Sequence, residues 1–568
     1  MNKTIAMSAL VSLVVAPACV QAASLDLEQR IQELSRELQR VQDELSKRQE
    51  SVMAIDKRVG LVENTLEEKS DHWDLASRIN LYGDFRARFD SYHAKTPAYW
   101  NTVDVAAAMR GFGVTAASSP ADIRRAMQGF LAMAPTPQAR EALMAYVGAQ
   151  KQPAQTWDND SLFSNRLRIN MEAKATENVE FKGRLVGHKL WGMQDYMEPE
   201  VNNNTYSPLF LSSRSYDGTA GRQPGDSSLL VDRAFVNWNN IGEMPLWFSI
   251  GRRPTTDGPP THLRMNTGGR MATPVSYMDY PFDGASLGYA YDNPFDPGSS
   301  GRIRFCYGRG FESGLQTTDT NLNDVDFAGL SWDIYRKGPR FLYLQAFGAF
   351  NIFNVPGDTV FPNPIEIAEA SANPNYDSHD IYLDRVNLGD IFHASMVYMD
   401  KIEKLKLNYF LTGGWSHTHA TAIDEMGISL LGAWGAEPED KDGYGVYVGV
   451  RYDVDDRFKL GAEFNWGSKN WLGFTPGHDD MYASKLYTRG KVYEGYLIWD
   501  LPTGAKMSQY SNAFIRLGYQ YYDYDFTYSG MWLGAPTKIT ELDDPATAQF
   551  YAPMKDAHQV YLALEVYF

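Results

Sequence analysis

From about residue 76 to the C-terminus, apolar and polar residues alternate in runs of ten or more. In Arg78 to Phe89 the odd positions are apolar or small and the even ones polar. The run 165–175 sets Leu167, Ile169, Met171 and Ala173 against Arg166, Arg168, Asn170, Glu172 and Lys174. Val446, Val448, Val450 and Tyr452 repeat the pattern, as do Phe458, Leu460, Ala462, Phe464 and Trp466. A period of two is the signature of a strand with one apolar face. Runs this long exceed the usual soluble strand and match a tilted strand crossing a bilayer. The pattern predicts about sixteen strands, near 77–92, 165–175, 179–191, 229–240, 246–253, 284–292, 301–311, 325–335, 340–352, 389–400, 403–416, 443–454, 457–468, 486–500, 511–525 and 557–568. The connections alternate long and short along the whole chain. A soluble sandwich has no reason to sort its loops by parity, whereas a membrane barrel has short turns on one side and long loops on the other.

The composition fits that reading. The 568 residues include 34 Tyr, 28 Phe and 13 Trp, yet mean hydropathy is only −0.39. Aromatics concentrate where a barrel wall meets the two membrane interfaces, and alternation places only half of each strand in lipid. A formal net charge of −17 argues against a general nucleic-acid binder, which needs a basic stripe. Two cysteines exclude a disulfide scaffold, a haem-attachment motif, an iron–sulfur cluster and a cysteine-ligated zinc site, so no cofactor is implied. Gly284-Ala285-Ser286-Leu287-Gly288 matches the serine-hydrolase elbow, but it lies inside a strand pattern instead of a strand–turn–helix. No metalloprotease, P-loop or EF-hand motif is present. The chain does not read as an enzyme. His417 and His419, without a paired carboxylate in sequence, read as surface histidines. Glu437, Glu439, Asp440, Asp442, Asp479 and Asp480 read as solvated loop charge, with a surface cation site as the sharper option. Cys306 falls on an inward position as a bystander.

Residues 1–22 have the parts of a secretory signal peptide: Lys3, an apolar stretch from Ile5 to Ala16, and Val20-Gln21-Ala22 at the cleavage site. A lipoprotein reading at Cys19 lacks the usual leucine and has Pro17 in the way. Residues 25–70 then carry a heptad pattern, with Leu27, Ile31, Leu34, Leu38, Val41, Leu45, Val52, Ile55, Val59, Val62 and Leu66 at core positions and Arg48 interrupting them. This predicts a coiled coil, a rod about 60 Å long at 1.5 Å per residue. Its mixed core leaves dimer and trimer open, the trimer being preferred. A single amphipathic helix lying on the barrel is the plainer alternative.

The last strand, Gln559 to Phe568, ends on Phe with apolar residues at alternate positions behind it. It resembles the C-terminal signal by which the barrel-assembly machinery recognises outer-membrane proteins, with Phe568 as its terminal residue. Sixteen strands with a periplasmic N-terminus resemble a porin. In general porins the loop between the fifth and sixth strands folds into the lumen. Here that loop begins Gly251-Arg252-Arg253-Pro254-Thr255-Thr256-Asp257-Gly258-Pro259-Pro260 and continues to Gly268-Gly269-Arg270. Together with Phe464-Asn465-Trp466-Gly467-Ser468-Lys469-Asn470-Trp471 it is similar to an uncharacterised family of bacterial porin-like proteins of about this length. The resemblance implies a barrel over residues 76–568 in the bacterial outer membrane, in contact with its lipid, with the coil in the periplasm.

Parity then locates the pore wall. Inward positions of the first seven strands carry Arg78, Arg86, Arg88, Arg166, Arg168, Lys174, Lys182, Arg184, Arg233, Arg253, Arg302 and Arg304, against Asp84, Asp90, Glu172, Glu180 and Asp292. Later strands read as balanced, with Lys404, Lys406, Arg451, Lys459 and Arg516 against Asp333, Asp453, Glu463 and Glu565. A wall rich in Arg and Lys favours anions. Selectivity is therefore expected of that basic sector and of the inward loop, with Arg253, Arg264 and Arg270 beside Asp257. Within a helical insertion at about 103–150, Ser119-Pro120-Ala121-Asp122 and Thr136-Pro137 predict two short helices, about 120–133 and 137–148, that cap or plug the mouth. The reading that results is an outer-membrane porin, homo-oligomeric through the coil, for passive diffusion of small hydrophilic, anionic solutes. The alternative is a barrel scaffold, such as the sheath of a porin–cytochrome electron conduit, which needs a wide, unobstructed lumen.

Overall fold

The computed structural model describes residues 32–45, 57, 78–101, 125, 129, 136, 138–139, 150–192, 229–253, 258–267, 277–279, 282–293, 296–315, 322–354, 386–424, 428–433, 436–475, 479–504, 511–549 and 552–568. The chain divides into two compact units, Met1–Ser77 and Arg78–Phe568. In the first, residues 32–45 are α-helical and exposed throughout. Leu34, Leu38, Val41 and Leu45 of the heptad core are each more than half exposed. The expected signal peptide, residues 1–22, and most of the rest of the expected coiled coil at 25–70 lie outside the described residues.

The second unit begins with β1 (Ile79–Thr96), followed by a small ribbon of β2 (Tyr99–Asn101) and β3 (Gln150–Gln152). Then come β4 (Gln155–Lys174), β5 (Val179–Leu190), β6 (Leu230–Trp238), β7 (Leu246–Arg253), β8 (Phe282–Asp292), β9 (Ser300–Phe311) and β10 (Val325–Lys337). The last eight are β11 (Arg340–Phe353), β12 (Asn387–Ile402), β13 (Leu407–Ala420), β14 (Lys441–Asp453), β15 (Phe458–Gly467), β16 (Gly490–Asp500), β17 (Asn512–Tyr524) and β18 (Asp556–Tyr567). All but β2 and β3 form one closed antiparallel barrel of sixteen strands, each paired with its sequence neighbours, and β18 closes on β1. At the seam, Gly83 and Phe568 exchange both backbone hydrogen bonds, at 2.9 and 3.0 Å. The terminal Phe568 is thus the last rung of the closure.

The barrel is polar inside and apolar outside, the reverse of a soluble protein. In β18, Val560, Leu562 and Leu564 are exposed while Gln559, Tyr561, Ala563 and Glu565 are buried. The same holds in β9, where Ile303 and Phe305 are exposed and Arg304 is buried. Such a wall is stable only with lipid against it, so the fold is an all-β membrane barrel. Aromatics gather at both ends of the exterior. Trp332, Tyr452, Phe458 and Trp499 lie near the short turns, and Trp415, Tyr444, Tyr493 and Tyr519 near the long loops.

The sixteen expected strands are the sixteen found, and the parity of loop lengths holds. The short turns are locally specified: Gly338 takes φ 57° in the two-residue turn between β10 and β11. At 454–457 the Asp455 carboxylate accepts from the backbone N–H of Arg457 and Phe458, both at 2.7 Å. Three strand starts differ by more than two residues. β4 starts at Gln155, ten residues earlier than expected, because its polar first half pairs with the end of β1 above the apolar zone. β13 starts at Leu407, since 403–405 form a 3-10 turn ended by a left-handed Lys406. Lys404 and Lys406 therefore belong to a turn and are not on the inner wall. β16 starts at Gly490 because 485–487 form a 3-10 turn inside the lumen. Of the two helices expected in the first long connection, Arg125, Gly129 and Gln138–Ala139 are helical, and Thr136 Oγ1 accepts from Ala139 N at 3.2 Å as its cap. The rest of that insertion lies outside the described residues.

Candidate functional site

Strand register creates two conflicts on the inner wall. Arg86 of β1 stands directly opposite Arg166 of β4, and Glu463 of β15 opposite Glu494 of β16. Like charges in cross-strand pairs destabilise a sheet. Both conflicts are resolved by one segment, the long connection between β15 and β16, which folds into the barrel. Its Asp479 carboxylate accepts from Arg86, from Arg166 at 3.2 Å and from Arg516 at 3.1 Å, while Arg88 donates to the Asp479 carbonyl at 2.9 Å. Its Lys485 ammonium donates to both Glu463 and Glu494. Burial alone would raise the Asp479 carboxyl pKa. Arg86, Arg516, Arg166 and Arg88 outweigh that and hold it well below the usual carboxylate range.

The connection between β7 and β8 also enters the lumen, as the resemblance to porins implied. Its Arg264 donates to Asp480 at 3.0 Å and to Glu494 at 3.2 Å, while its backbone carbonyl accepts from Arg516 at 2.9 Å. Arg451 donates to Leu263 O and Lys459 to Asn266 Oδ1. The two inward loops meet where Phe474 N donates to Tyr277 O at 3.0 Å and Asp279 N to Phe474 O at 2.7 Å. Around these contacts Arg86, Arg88, Arg166, Arg168, Arg264, Lys485 and Arg516 face Asp84, Asp90, Glu463, Asp479, Asp480, Glu494 and Glu565. None of the fourteen is more than 5% exposed. Seven cations against seven carboxylates balance the charge of this part of the lumen, and all are shielded from bulk solvent.

Trp471 explains why the Phe464–Trp471 stretch reads as it does. It is fully buried, and its Nε1 donates to Leu486 O at 2.8 Å. Gly414, Gly443, Gly445 and Gly467, on β13, β14 and β15, surround it. A Cβ at any of them would come within 2.7 Å of Trp471, and at Gly467 it would also meet a backbone carbonyl. A bulky indole on the loop and a glycine floor on the wall thus form one packed unit. Arg489 staples the same loop to the last one, donating to the carbonyls of Trp471, Thr527, Tyr528 and Met531.

Each expected wall residue can now be placed. Arg86, Arg88, Arg166, Arg168 and Arg264 sit in the neutral cluster. Arg184 pairs with Asp232, and Arg233 lies 3.6 Å from the same carboxylate. Lys182 lies 3.2 Å from Glu180. Arg302 pairs with Asp333, and Arg304 is 3.8 Å from it. Arg253 has no ion pair among the described residues and neighbours Cys306. Asp257 and Arg270 lie outside the described residues. Phe568 closes the seam.

Parity reading missed Asp232, because a bulge between Arg184 and Leu185 in the β5–β6 pairing turns it inward. It also missed Glu494 and misplaced Asp479 and Asp480, which are buried counterions and not solvated loop charge. His417 and His419 do have carboxylate partners, Asp442 at 3.0 Å and Asp440 at 3.2 Å. No group of three metal-ligating side chains occurs among the described residues. The serine-elbow look-alike lies within β8. A Cβ at Gly284 would strike Tyr307 O and one at Gly288 the Trp247 ring, so packing explains those glycines.

On the β7–β11 side the inner wall bounds a cavity lined by Arg253 and Arg304 and by Phe282, Phe327, Tyr343 and Phe347 among others. Among known proteins, a family model described as "Protein of unknown function (DUF3373)" matches residues 156–568, every barrel strand except β1. No curated protein matches the sequence. Several solved structures are similar at low identity. Vibrio cholerae OmpT, an outer membrane protein in its trimer form, is 11% identical with a TM-score of 0.36, covering 86% of this chain and 99% of that one. Pseudomonas putida OprB is 10% identical with a TM-score of 0.37, covering 90% and 97%. The outer membrane channel DcaP of Acinetobacter baumannii is 9% identical with a TM-score of 0.35, covering 86% and 97%. Such distant likeness leaves the chemistry of the lumen to this chain's own residues.

Proposed function

Because the chain belongs to the DUF3373 family of proteins of unknown function, which assigns no activity, we propose from the barrel itself that it is a porin of the bacterial outer membrane. It passes small hydrophilic, anionic solutes by diffusion through a lumen narrowed by two inward loops. The observation that carries this is the inside-out wall: charged and polar residues buried on one face of each strand, apolar ones exposed on the other. A polar interior of this kind is that of a barrel with a water-filled channel or with loops folded into its lumen.

The preference for anions rests on a narrower sector than the sequence implied. Arg86, Arg88, Arg166 and Arg168 are taken up by the neutral cluster, and Arg184 and Arg233 by Asp232. Arg253 is not, and Arg302 and Arg304 share Asp333. That sector lies along the cavity, where surplus positive charge would favour anions. A sheath around a partner protein needs an empty lumen, and two loops occupy this one, so the scaffold reading is not retained. The exposed seam of Leu34, Leu38, Val41 and Leu45 supports a coil that joins protomers in the periplasm, as a trimer. Phe568 at the closing seam supports its role as the assembly signal.

Swelling of proteoliposomes in graded solutes tests the reading. Barrels that migrate as folded protein should admit small organic anions faster than neutral solutes of the same size. Failure to admit any solute, with the barrel intact, would overturn it.

A further inference from the structure

The outer wall of a barrel that meets only lipid should be apolar between its two aromatic girdles. β14 keeps that rule, presenting Val446, Val448 and Val450 between the exposed Tyr444 and Tyr452. The face made by β1, β4 and β5 departs from it. Phe85, Phe163 and Leu185 are exposed there while Arg86, Ser164 and His188 are buried. Ala87, Asn165, Gly187 and Lys189 therefore share the outward parity.

In the register Ala87 stands opposite Asn165, and Asn165 opposite Lys189, so the three make one rung across three strands. The next rung toward the long loops is aromatic. Phe89 and Phe163 have centroids 5.2 Å apart, and Phe163 stacks on Trp191 at 4.9 Å. The next rung toward the short turns is Phe85, Leu167 and Gly187. An amide and an ammonium thus lie on the membrane side of the girdle, where lipid tails offer neither a partner and charge destabilises a barrel. A lysine can lift its ammonium past the girdle to the headgroups, but the Asn165 amide is too short to follow. Its Oδ1 is shielded and has no hydrogen-bond partner among the described residues. Small residues that allow close approach, with polar groups beside them, are what joins proteins inside a membrane. Ala87 and Gly187 supply the first, and Asn165 and Lys189 the second.

We propose that this face of β1, β4 and β5 is where copies of this chain meet in the membrane, with Lys189 of one copy donating to Asn165 Oδ1 of the next. The ammonium carries three donors and the amide oxygen is an acceptor. A donor that meets a different residue on the next copy makes a heterologous contact, which closes a ring. The occupant is a second copy because the helix with the exposed heptad seam belongs to the same chain. The heptads end at Leu66 and β1 begins at Ile79. That link reaches roughly 40 Å at most, so copies joined by their coils meet beside β1. The proposal rests on the oligomer reading above and adds to it the membrane surface that the coil alone does not define.

The test is photo-cross-linking in outer-membrane vesicles, with benzophenone maleimide on Ala87→Cys, Gly187→Cys or Val448→Cys, each in a Cys306→Ser background. Illumination should join the first two into adducts of two chains and leave Val448→Cys without a protein adduct. In detergent, Asn165→Leu and Lys189→Leu should each speed dissociation of the oligomer at least tenfold on native gels, although leucine suits lipid better than either native residue. Val448→Cys adducts as abundant as those of the other two, no adduct at any position, or unchanged dissociation of the folded leucine variants would each overturn the proposal. Should a leucine variant not fold, the cross-linking decides. A native mass of one chain would overturn this proposal and the coil reading together, whereas the other failures leave the coil standing. Conductance per barrel judges the porin reading separately, because these positions face away from the lumen.

Discussion

Replacing Asp479 with Asn keeps the shape of the side chain and removes its charge at the point where the β15–β16 loop is held in the lumen. Asp479 answers Arg86, Arg166 and Arg516 directly, and Arg88 lies 4.0 Å from its Oδ2. Breaking a buried pair by removing one partner costs about 3–5 kcal/mol, because the remaining charge stays buried and uncompensated. Taking about 4 kcal/mol, at 1.4 kcal/mol per decade, shifts the docked-to-undocked ratio of this stretch on the order of a thousandfold. The sixteen-strand ladder does not depend on Asp479, so the barrel should remain folded. The assay is maleimide labelling of Ala483→Cys in a Cys306→Ser background, with single-channel recording of the same protein. Labelling should accelerate at least a hundredfold, larger conductance steps should appear, and the loss of one negative charge beside four arginines should move selectivity further toward anions. Unchanged labelling and unchanged steps in a folded barrel would refute the view that charge pairing closes this part of the lumen.

Other outcomes follow from the same geometry. The Asp479 carboxyl is depressed in the folded protein, so its contribution is full above the unfolded value of about 3.9 and is lost only as pH falls through the lower folded value. Channel conductance should therefore show no opening by this route from pH 7 down to about 4, and opening near pH 6 would contradict the assignment. Trp471→Ala should cost about 3–5 kcal/mol of loop docking by emptying the glycine-lined nest, whereas Gly445→Val should expel the same indole by collision, since even a Cβ there lies 2.7 Å from the ring. Both should raise proteolysis within 469–489 while leaving heat-modifiable migration of the barrel intact. Deleting Phe568 removes the last pair of seam hydrogen bonds with Gly83 and should lower the yield of folded barrel in membranes, read by the same gel shift. Removing residues 25–70 should convert cross-linked trimers to monomers without changing conductance per barrel.

The architecture was legible because it depends on a local property. Alternation in β18 or β9 fixes which side chains meet lipid whatever the rest of the chain does, and loop parity follows from crossing a membrane back and forth. The lumen was less legible because it depends on register and on where loops go. Parity placed Arg86 and Arg166 inside correctly, but nothing local reveals that they stand opposite each other, so the need for a bridging carboxylate could not be read. Asp479 and Asp480, in a loop, have the composition of solvated charge, and only the wall facing them makes them counterions. Asp232 was hidden by a one-residue bulge, which reverses parity for the residue it displaces. The serine-elbow look-alike shows the opposite case, where strand context was enough to reject the motif, and packing against Tyr307 and Trp247 accounts for Gly284 and Gly288.

The reversal potential of the purified protein across a planar bilayer, under a tenfold potassium chloride gradient, tests the central claim most directly. The account predicts a steady conductance whose reversal potential lies toward that of chloride, weakened in Arg253→Gln and strengthened in Asp479→Asn. A folded barrel that carries no current in either the native or the Asp479→Asn form, or one that reverses toward potassium, would contradict it.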